Sequence, residues 1–290
     1  MTTTVLYDVP GPITKRRSLI ASIIATILIL ACLAWLVYIL ASPRISANGA
    51  ETPGMFDPSR TDILADPVIW QAVWRGLLGT LEMAAVAAVL AMIVGIAFSF
   101  ARTARSAWIR TPTAVVLEFF RGMPVLLMML FVLLVFSAGS FWAGVTALAV
   151  YNGAVIGEAL RAGIQSLPRG QRESGLAIGL TTLQTRVQIE FPQAFRQMLP
   201  IIIAQLVVLL KDTSLAYVVG YSELMRTVTN MQNFFGSRYL FTLFAIVVVV
   251  YLTVNLLLSW LARTVAKHGG QRAPNVAELK DAGMGGGGVA

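Results

Sequence analysis

The sequence predicts an all-α integral membrane protein that crosses the bilayer with six helices, and three observations carry that prediction. The first is composition: hydrophobic residues make up 57% of the 290 and charged residues only 12%, against roughly 25% charged in soluble domains. Mean hydropathy is +0.76. The second is spacing. Apolar windows fall near 18–41, 77–101, 114–137, 140–161, 199–220 and 239–262, each close to the ~20 residues that a helix needs to cross a hydrocarbon core of about 30 Å. The third is charge. Of the 22 lysines and arginines, 14 fall in the N-terminal flank, the loops after the second and fourth windows, and the C-terminal tail, which places both termini in the cytoplasm by the positive-inside rule.

Taken in order, residues 1–17 form a cytoplasmic tail ending in Lys15, Arg16 and Arg17. The first window is too long for a signal-peptide core and no small-residue cleavage pattern follows it, so it is read as an anchor. Residues 42–67, with Pro43, Pro53, Pro58 and Pro67, read as an extended outer loop. It carries Arg44 and Arg60 against Glu51, Asp57, Asp62 and Asp66. Trp70, Trp74, Trp108, Trp142 and Trp260 lie near span ends, as an aromatic belt requires. Residues 221–237 have the periodicity of a short helix at the outer surface. The tail from Gly269 to Ala290 is Gly-rich with few large apolar residues, and reads as disordered.

Several functions are excluded by count. Cys32 is the single cysteine and His268 the single histidine, so a His/Cys metal cluster and a histidine-based triad are both impossible. Carboxylates remain as the candidate metal ligands or general bases. There is no GxxxxGK[ST] phosphate loop, so this chain has no ATP site of that kind. The basic excess, 22 against 14, lies in short loops facing anionic lipid rather than in a stripe, which argues for membrane lipid and against nucleic acid as a partner.

The inner segment 163–200, "GIQSLPRGQRESGLAIGLTTLQTRVQIEFPQAFRQMLP", holds two short helices. Pro168 starts the first and Gly179 ends it; Thr181 with Gln184 forms a capping-box pattern for the second, which Pro192 stops. Leu176, Ala177, Leu180, Leu183, Val187 and Phe191 are more apolar surface than so small a hairpin buries by itself. They call for docking on the membrane domain or on another protein.

Charges inside the spans are the other candidates. Lys211 and Asp212 interrupt "LLKDTSLAYVVG". Each charge near a helix centre costs about 2.5 to 3.5 kcal/mol, while a Leu, Ile, Val or Phe returns roughly 0.3 to 0.6. Asp212 shares a helical stripe with Gln205, which suggests a polar strip facing a cavity or a partner subunit. A structural ion pair with Arg161 or Glu158 is the competing explanation. Glu82 stands in an otherwise apolar helix, Glu158 and Arg161 are three apart on one face, and Arg121 lies near a span end from which its side chain can snorkel.

The stretch "ESGLAIGLTTLQTRVQIEFPQA" resembles the coupling loop of ATP-binding-cassette importer permeases, with Glu173, Gly179, Ile189 and Pro192 at that loop's spacing. Ser174 and Gly175 stand where two alanines are usual. "LEFFRGMPVLL", "GEALRAGIQSLPRGQ" and "LLKDTSLAYVVGYSEL" look like signatures of the subfamily for polar amino acids: histidine, glutamate, glutamine, arginine and opines. The match covers roughly 70–265. The opening "TVLYDVPGP" looks like that of actinobacterial glutamate-uptake permeases. The resemblance implies a type I permease core of five helices at 68–265, preceded by an extra helix and outer loop at 18–67 and followed by a tail at 266–290. It also implies that the loop 163–197 fits a groove on a separate ATPase, with Glu173, Ser174, Gly175, Gly179, Ile189 and Pro192 at the contact.

The function so implied is a permease subunit of an amino acid importer in a bacterial cytoplasmic membrane, glutamate first among substrates, working by alternating access. Its partners are an ATPase subunit, a second homologous permease and an extracytoplasmic binding protein. The chain holds no cofactor, ATP and Mg belonging to the ATPase, and has no catalytic residues. A zwitterionic substrate needs a cation for its carboxylate and an acceptor for its ammonium; Arg121, Arg161 and Lys211 with Glu82, Glu158 and Asp212 supply candidates. An ion-coupled secondary transporter is the alternative, though it leaves the hairpin without a task.

Overall fold

The computed structural model describes residues 11–45 and 51–269, and the architecture is helical apart from one two-residue ladder. Helix α1 spans Pro12–Ala41, α2 Pro67–Arg102, α3 Ala107–Gly122, α4 Val125–Val135 and α5 Ser140–Ser166. Then come α6 Arg169–Ala177, α7 Thr182–Thr185, α8 Phe191–Asp212, α9 Leu224–Phe235 and α10 Leu240–Gly269. The ladder pairs β1, Arg44–Ile45, antiparallel with β2, Glu51–Thr52. Five helical segments are long and apolar enough to cross a membrane, and six if the bent pair α3 and α4 is one span. The opening "TVLYDVPGP", apart from Gly11 and Pro12, and the Gly-rich tail beyond Gly269 lie outside the described residues.

The core forms where α2 and α5 approach closely. A Cβ on Gly157 would stand 2.9 Å from the Gly95 carbonyl oxygen, and one on Gly153 3.1 Å from that of Ala91. Small residues are what let two apolar backbones come this near when no solvent drives them together. Around this seam Met83, Leu148, Ile156 and Leu160 are buried, with Ile202 and Leu209 of α8 against them.

Three spans differ from the sequence expectation. Helix α2 begins at Pro67 rather than near 77, because Asp66 caps it by accepting from the Val68 N–H at 2.8 Å and Pro67 fits the first turn. The third window, 114–137, is not one straight span: α3 and α4 are bent by 103°. Pro124 explains the break. It disfavours helical backbone in Met123, whose φ −87° and ψ 130° are extended. The fifth window ends early, since α8 stops at Asp212 and a 3-10 turn, Thr213–Tyr217, follows.

The outer loop is folded rather than extended. It contains 3-10 turns at Pro58–Arg60 and Asp62–Ala65. Arg60 donates to the carbonyls of Arg238 and Pro53, each at 2.8 Å, and Arg238 donates back to that of Ser59 at 2.6 Å. Phe56 stacks edge-on against Phe241 with centroids 5.5 Å apart. The loop thereby ties the end of α1 to the start of α10, through Met55 N–H to the Leu40 carbonyl at 2.8 Å. Helix α1 itself buries no residue.

Candidate functional site

The hairpin between α5 and α8 is built from two capping motifs placed end to end. At the end of α6, Leu180 N–H bonds the Gly175 carbonyl and Gly179 N–H that of Leu176, both at 3.1 Å, which is a Schellman stop. Gly179 has φ +87°, a left-handed conformation that a side chain would strain. Two residues on, Thr181 and Gln184 cap each other: Gln184 N–H to Thr181 Oγ1 at 3.3 Å, and Thr181 N–H to Gln184 Oε1 at 2.8 Å. The direction of the turn is thus set locally. A Cβ on Gly175 would meet Thr185 Cγ2 at 2.6 Å and Ile189 Cδ1 at 2.9 Å, so glycine at this position brings the two helices closer than a larger residue allows.

Pro192 does not stop the second helix, contrary to expectation. A five-residue π-helical turn, Arg186–Glu190, precedes it, with Phe191 N–H bonded to the Arg186 carbonyl. The wider turn relieves the clash that a proline ring makes with the carbonyl four residues back. The helix runs on into α8.

Much of the hairpin's apolar surface stays uncovered. Ile178 is 76% exposed, Leu183 63%, Val187 47% and Leu176 40%. Phe191 is the exception, packing its ring 5.2 Å from Phe100 and 5.9 Å from Phe195. Ile178, the most exposed of the set, was not among the expected contacts; its place just before the left-handed glycine, at the tip, is what exposes it. Glu173 and Ser174 are exposed, and Gly175 is buried.

Above the hairpin lies an ionic group. Arg161 donates through Nε to Glu158 Oε1 at 2.9 Å and through Nη2 to the same oxygen, while Nη1 reaches Gln165. Arg102, at the end of α2, approaches Glu158 Oε2 to 3.9 Å. Arg102 was missed in the sequence because its partner sits on another helix. Arg121 pairs at 3.0 Å with Glu118 on its own helix.

Lys211 and Asp212 are remote from that group and pair with neither Arg161 nor Glu158. Lys211 is exposed, Asp212 half-buried. Gln205, expected on the stripe of Asp212, instead donates to Asn152 Oδ1 at 2.8 Å, and Asn152 donates to the Leu148 carbonyl at 2.8 Å. Asn152 is fully buried. Glu82 is exposed on α2.

At the opposite end from the hairpin, Glu223 is a buried carboxylate that the sequence reading missed. Its two oxygens accept from Met225 N–H and Arg226 N–H, each at 2.7 Å, and Tyr251 Oη donates to it at 3.0 Å. Burial pushes its carboxyl above the usual range, against the lowering pull of these bonds. Leu224 N–H donates to Thr80 Oγ1 at 3.2 Å, joining α9 to α2. The signal available was positional, an acidic residue just before an apolar-periodic stretch. Asp57, in the outer loop, is held below the usual carboxylate range by hydrogen bonds from Ser59.

The elbow between α3 and α4 encloses a cavity of about 360 Å³ walled by Phe119, Phe120, Met123, Met128, Phe131 and Val150 among others. It offers a zwitterion no partner. Among the described residues, no group of His, Cys, Asp and Glu is placed to hold a metal ion.

Residues 91–268 match a family model described as the binding-protein-dependent transport system inner membrane component. The chain is 36% identical over 225 residues to the glutamate transport system permease protein GluD of Corynebacterium glutamicum, covering 74% of this chain and 81% of that one. It is 34% identical over 198 residues to the probable glutamine ABC transporter permease protein GlnP of Bacillus subtilis, covering 66% and 90%. Among solved structures, a crystal structure of an amino acid ABC transporter with histidines superposes with a TM-score of 0.65 at 26% identity, over 71% of this chain and 98% of that one.

Proposed function

The chain belongs to the family of binding-protein-dependent transport system inner membrane components, and from that premise we propose that it is the permease subunit of an ATP-driven importer of L-glutamate. It is a transport subunit for amino acids and not an enzyme; ATP hydrolysis belongs to a separate ATPase. Glutamate is chosen over glutamine because the similarity to the glutamate permease covers more of this chain, 74% against 66%. The observation that carries the coupling mechanism is the hairpin. Its turn is fixed by two local caps, yet Ile178 and Leu183 are left uncovered, which suits a rigid element that pushes on a partner.

In the proposed cycle the hairpin end faces the cytoplasm and fits a groove of the ATPase, with Glu173, Ser174, Gly175, Gly179, Ile189 and Pro192 shaping the contact. A loaded binding protein docks at the opposite end. Closure of the ATPase moves α6 and, through the unbroken helix after it, α8. Glu82, Lys211 and Asp212 face a watery pathway shared with a second permease subunit, since lipid makes bare charges on spans costly. Glu158, Arg161 and Arg121, with Arg102, lie at its inner mouth. Ion-coupled secondary transport gives the uncovered hairpin no role.

The test is the ATPase rate of the purified whole complex with its binding protein and single amino acids. Glutamate stimulates most on this reading. Stimulation by glutamine or arginine alone would reassign the substrate; a chain that purifies without any ATPase would remove the importer reading.

A further inference from the structure

Helix α3 has three distinct sides. One packs on α2 and α5 through Leu117, which is fully buried. A second is an uncovered apolar stripe: Trp108 is 90% exposed, Val115 66% and Phe119 61%. At 100° per residue, Arg110, Glu118 and Arg121 fill the arc between those two. A helix crossing the bilayer at the edge of a bundle needs only two sides, one for protein and one for lipid. A third, charged side means that this helix also meets water along its length.

Its placement agrees. The 103° bend sets α3 across the direction of α4, whose 11 residues extend roughly 17 Å, about half of the hydrocarbon core. The chain enters α3 from Arg102, the hairpin-side end of α2. Arg105 and Arg110 are exposed there, and neither joins an ion pair among the described residues.

We infer that α3 lies in the plane of the membrane surface at the hairpin end, with Trp108, Val115 and Phe119 set into the acyl boundary and Arg105 and Arg110 holding anionic phospholipid headgroups. A cation-flanked helix with a Trp- and Phe-bearing apolar side is the composition of an interfacial element. The partner is the lipid surface rather than an acidic protein groove, because exposed basic residues stand apart from a wholly apolar exposed stripe, the division that headgroups over acyl chains match. Transport is then sensitive to anionic lipid through this helix, a dependence separate from the glutamate reading.

Two measurements test this. In nanodiscs, the fluorescence component lost in Trp108→Phe is quenched more by lipid brominated near the carbonyl than by lipid brominated near the chain end. That measurement needs no importer activity. In the assembled complex, the phosphatidylglycerol fraction giving half-maximal stimulated ATPase shifts upward about fivefold in Arg105→Gln or Arg110→Gln, from about 1 kcal/mol per basic residue at an anionic surface. Arg105→Lys and Arg110→Lys behave as the parent. A Trp108 signal untouched by bromolipid, one protected when the ATPase or a second permease is added, deepest quenching at the chain end, or Lys variants as impaired as Gln variants would each overturn the inference.

Discussion

At the hairpin end, Ile178 and Leu183 stand 76% and 63% exposed on a turn fixed by its own backbone, whereas at the far end Glu223 is fully buried with every carboxylate bond made inside the chain. At one end apolar residues stand uncovered on a locally fixed turn; at the other a buried carboxylate has its partners inside the chain. The hairpin's shape is made locally, and that of the far end is made by packing. Schellman and capping-box motifs need only residues 175–184, so the hairpin can keep its form while its surface waits for a partner. Helix α9 has no such independence, being held by Thr80 of α2 and Tyr251 of α10. A locally fixed hairpin with an uncovered tip suits an element that receives force from a partner.

Charging the hairpin surface is expected to have the largest effect. Ile178→Asp with Leu183→Asp places two carboxylates in the proposed apolar groove, and burying unpaired charge is costly enough to abolish docking. Uptake is expected to fall by at least 100-fold, since two charged-contact penalties of about 1.5 to 3 kcal/mol each act together. Membrane insertion, followed by protease protection, stays normal. Gly179→Val, which forces a β-branched residue into the left-handed region, acts on the same step. Uptake at the parental rate by either would end the coupling hypothesis.

At Glu223 the expectation reverses. Glu223→Ala orphans the Met225 and Arg226 N–H groups and the Tyr251 hydroxyl, at about 1 to 3 kcal/mol each, so thermal stability and yield fall while activity per surviving complex is kept. Glu223→Gln, which retains acceptor geometry on one oxygen, costs less. Reduced specific activity in a stably folded Glu223→Gln protein would show that the far end also takes part in transport.

Between the two ends, Asp212→Asn tests the proposed pathway. Loss of one charged contact lowers transport per assembled complex by roughly 10- to 150-fold, from about 1.5 to 3 kcal/mol. Parental specific activity with poor yield would instead make Asp212 scaffolding.

What the sequence made legible follows the same division. The caps at Gly179 and Thr181 were readable because both partners lie within a few residues, and the spans because lipid demands a continuous apolar length. Pro192 misled because its usual meaning assumes α-helical spacing, and the π-turn before it removes the clash. The bend at Pro124 was hidden inside an apolar window, where hydropathy averages over a break that backbone sterics decide. Arg102 and Asn152 were missed because each is defined by a partner on another helix, 53 residues away for Asn152. Glu223 carries a local cap signal, its bonds to Met225 and Arg226, but its burial against Tyr251 of α10, 28 residues away, is not visible in the sequence.

The smallest effect is expected in the middle of the bundle, where a polar contact joins α5 and α8. Asn152 is fully buried and bonds both its own helix and Gln205 of α8. In lipid such an interhelical bond has no water competing for it, yet measured values average only about 0.6 kcal/mol and reach about 1.7, because the unfolded helices also find partners. A cycle of Asn152→Leu, Gln205→Leu and the double variant is therefore expected to give a coupling near 0.6 kcal/mol by denaturation in detergent. Asn152→Leu alone leaves Gln205, which is half-buried, able to turn toward the exposed side of α8, so its single cost stays small. If α8 moves against α5 during transport, breaking this bond favours movement, and the complex carrying the double variant hydrolyses ATP faster without substrate while its stability hardly changes. An unchanged basal rate together with a coupling well above about 2 kcal/mol would instead mark the pair as a fixed joint, and α5 and α8 would then move as one body.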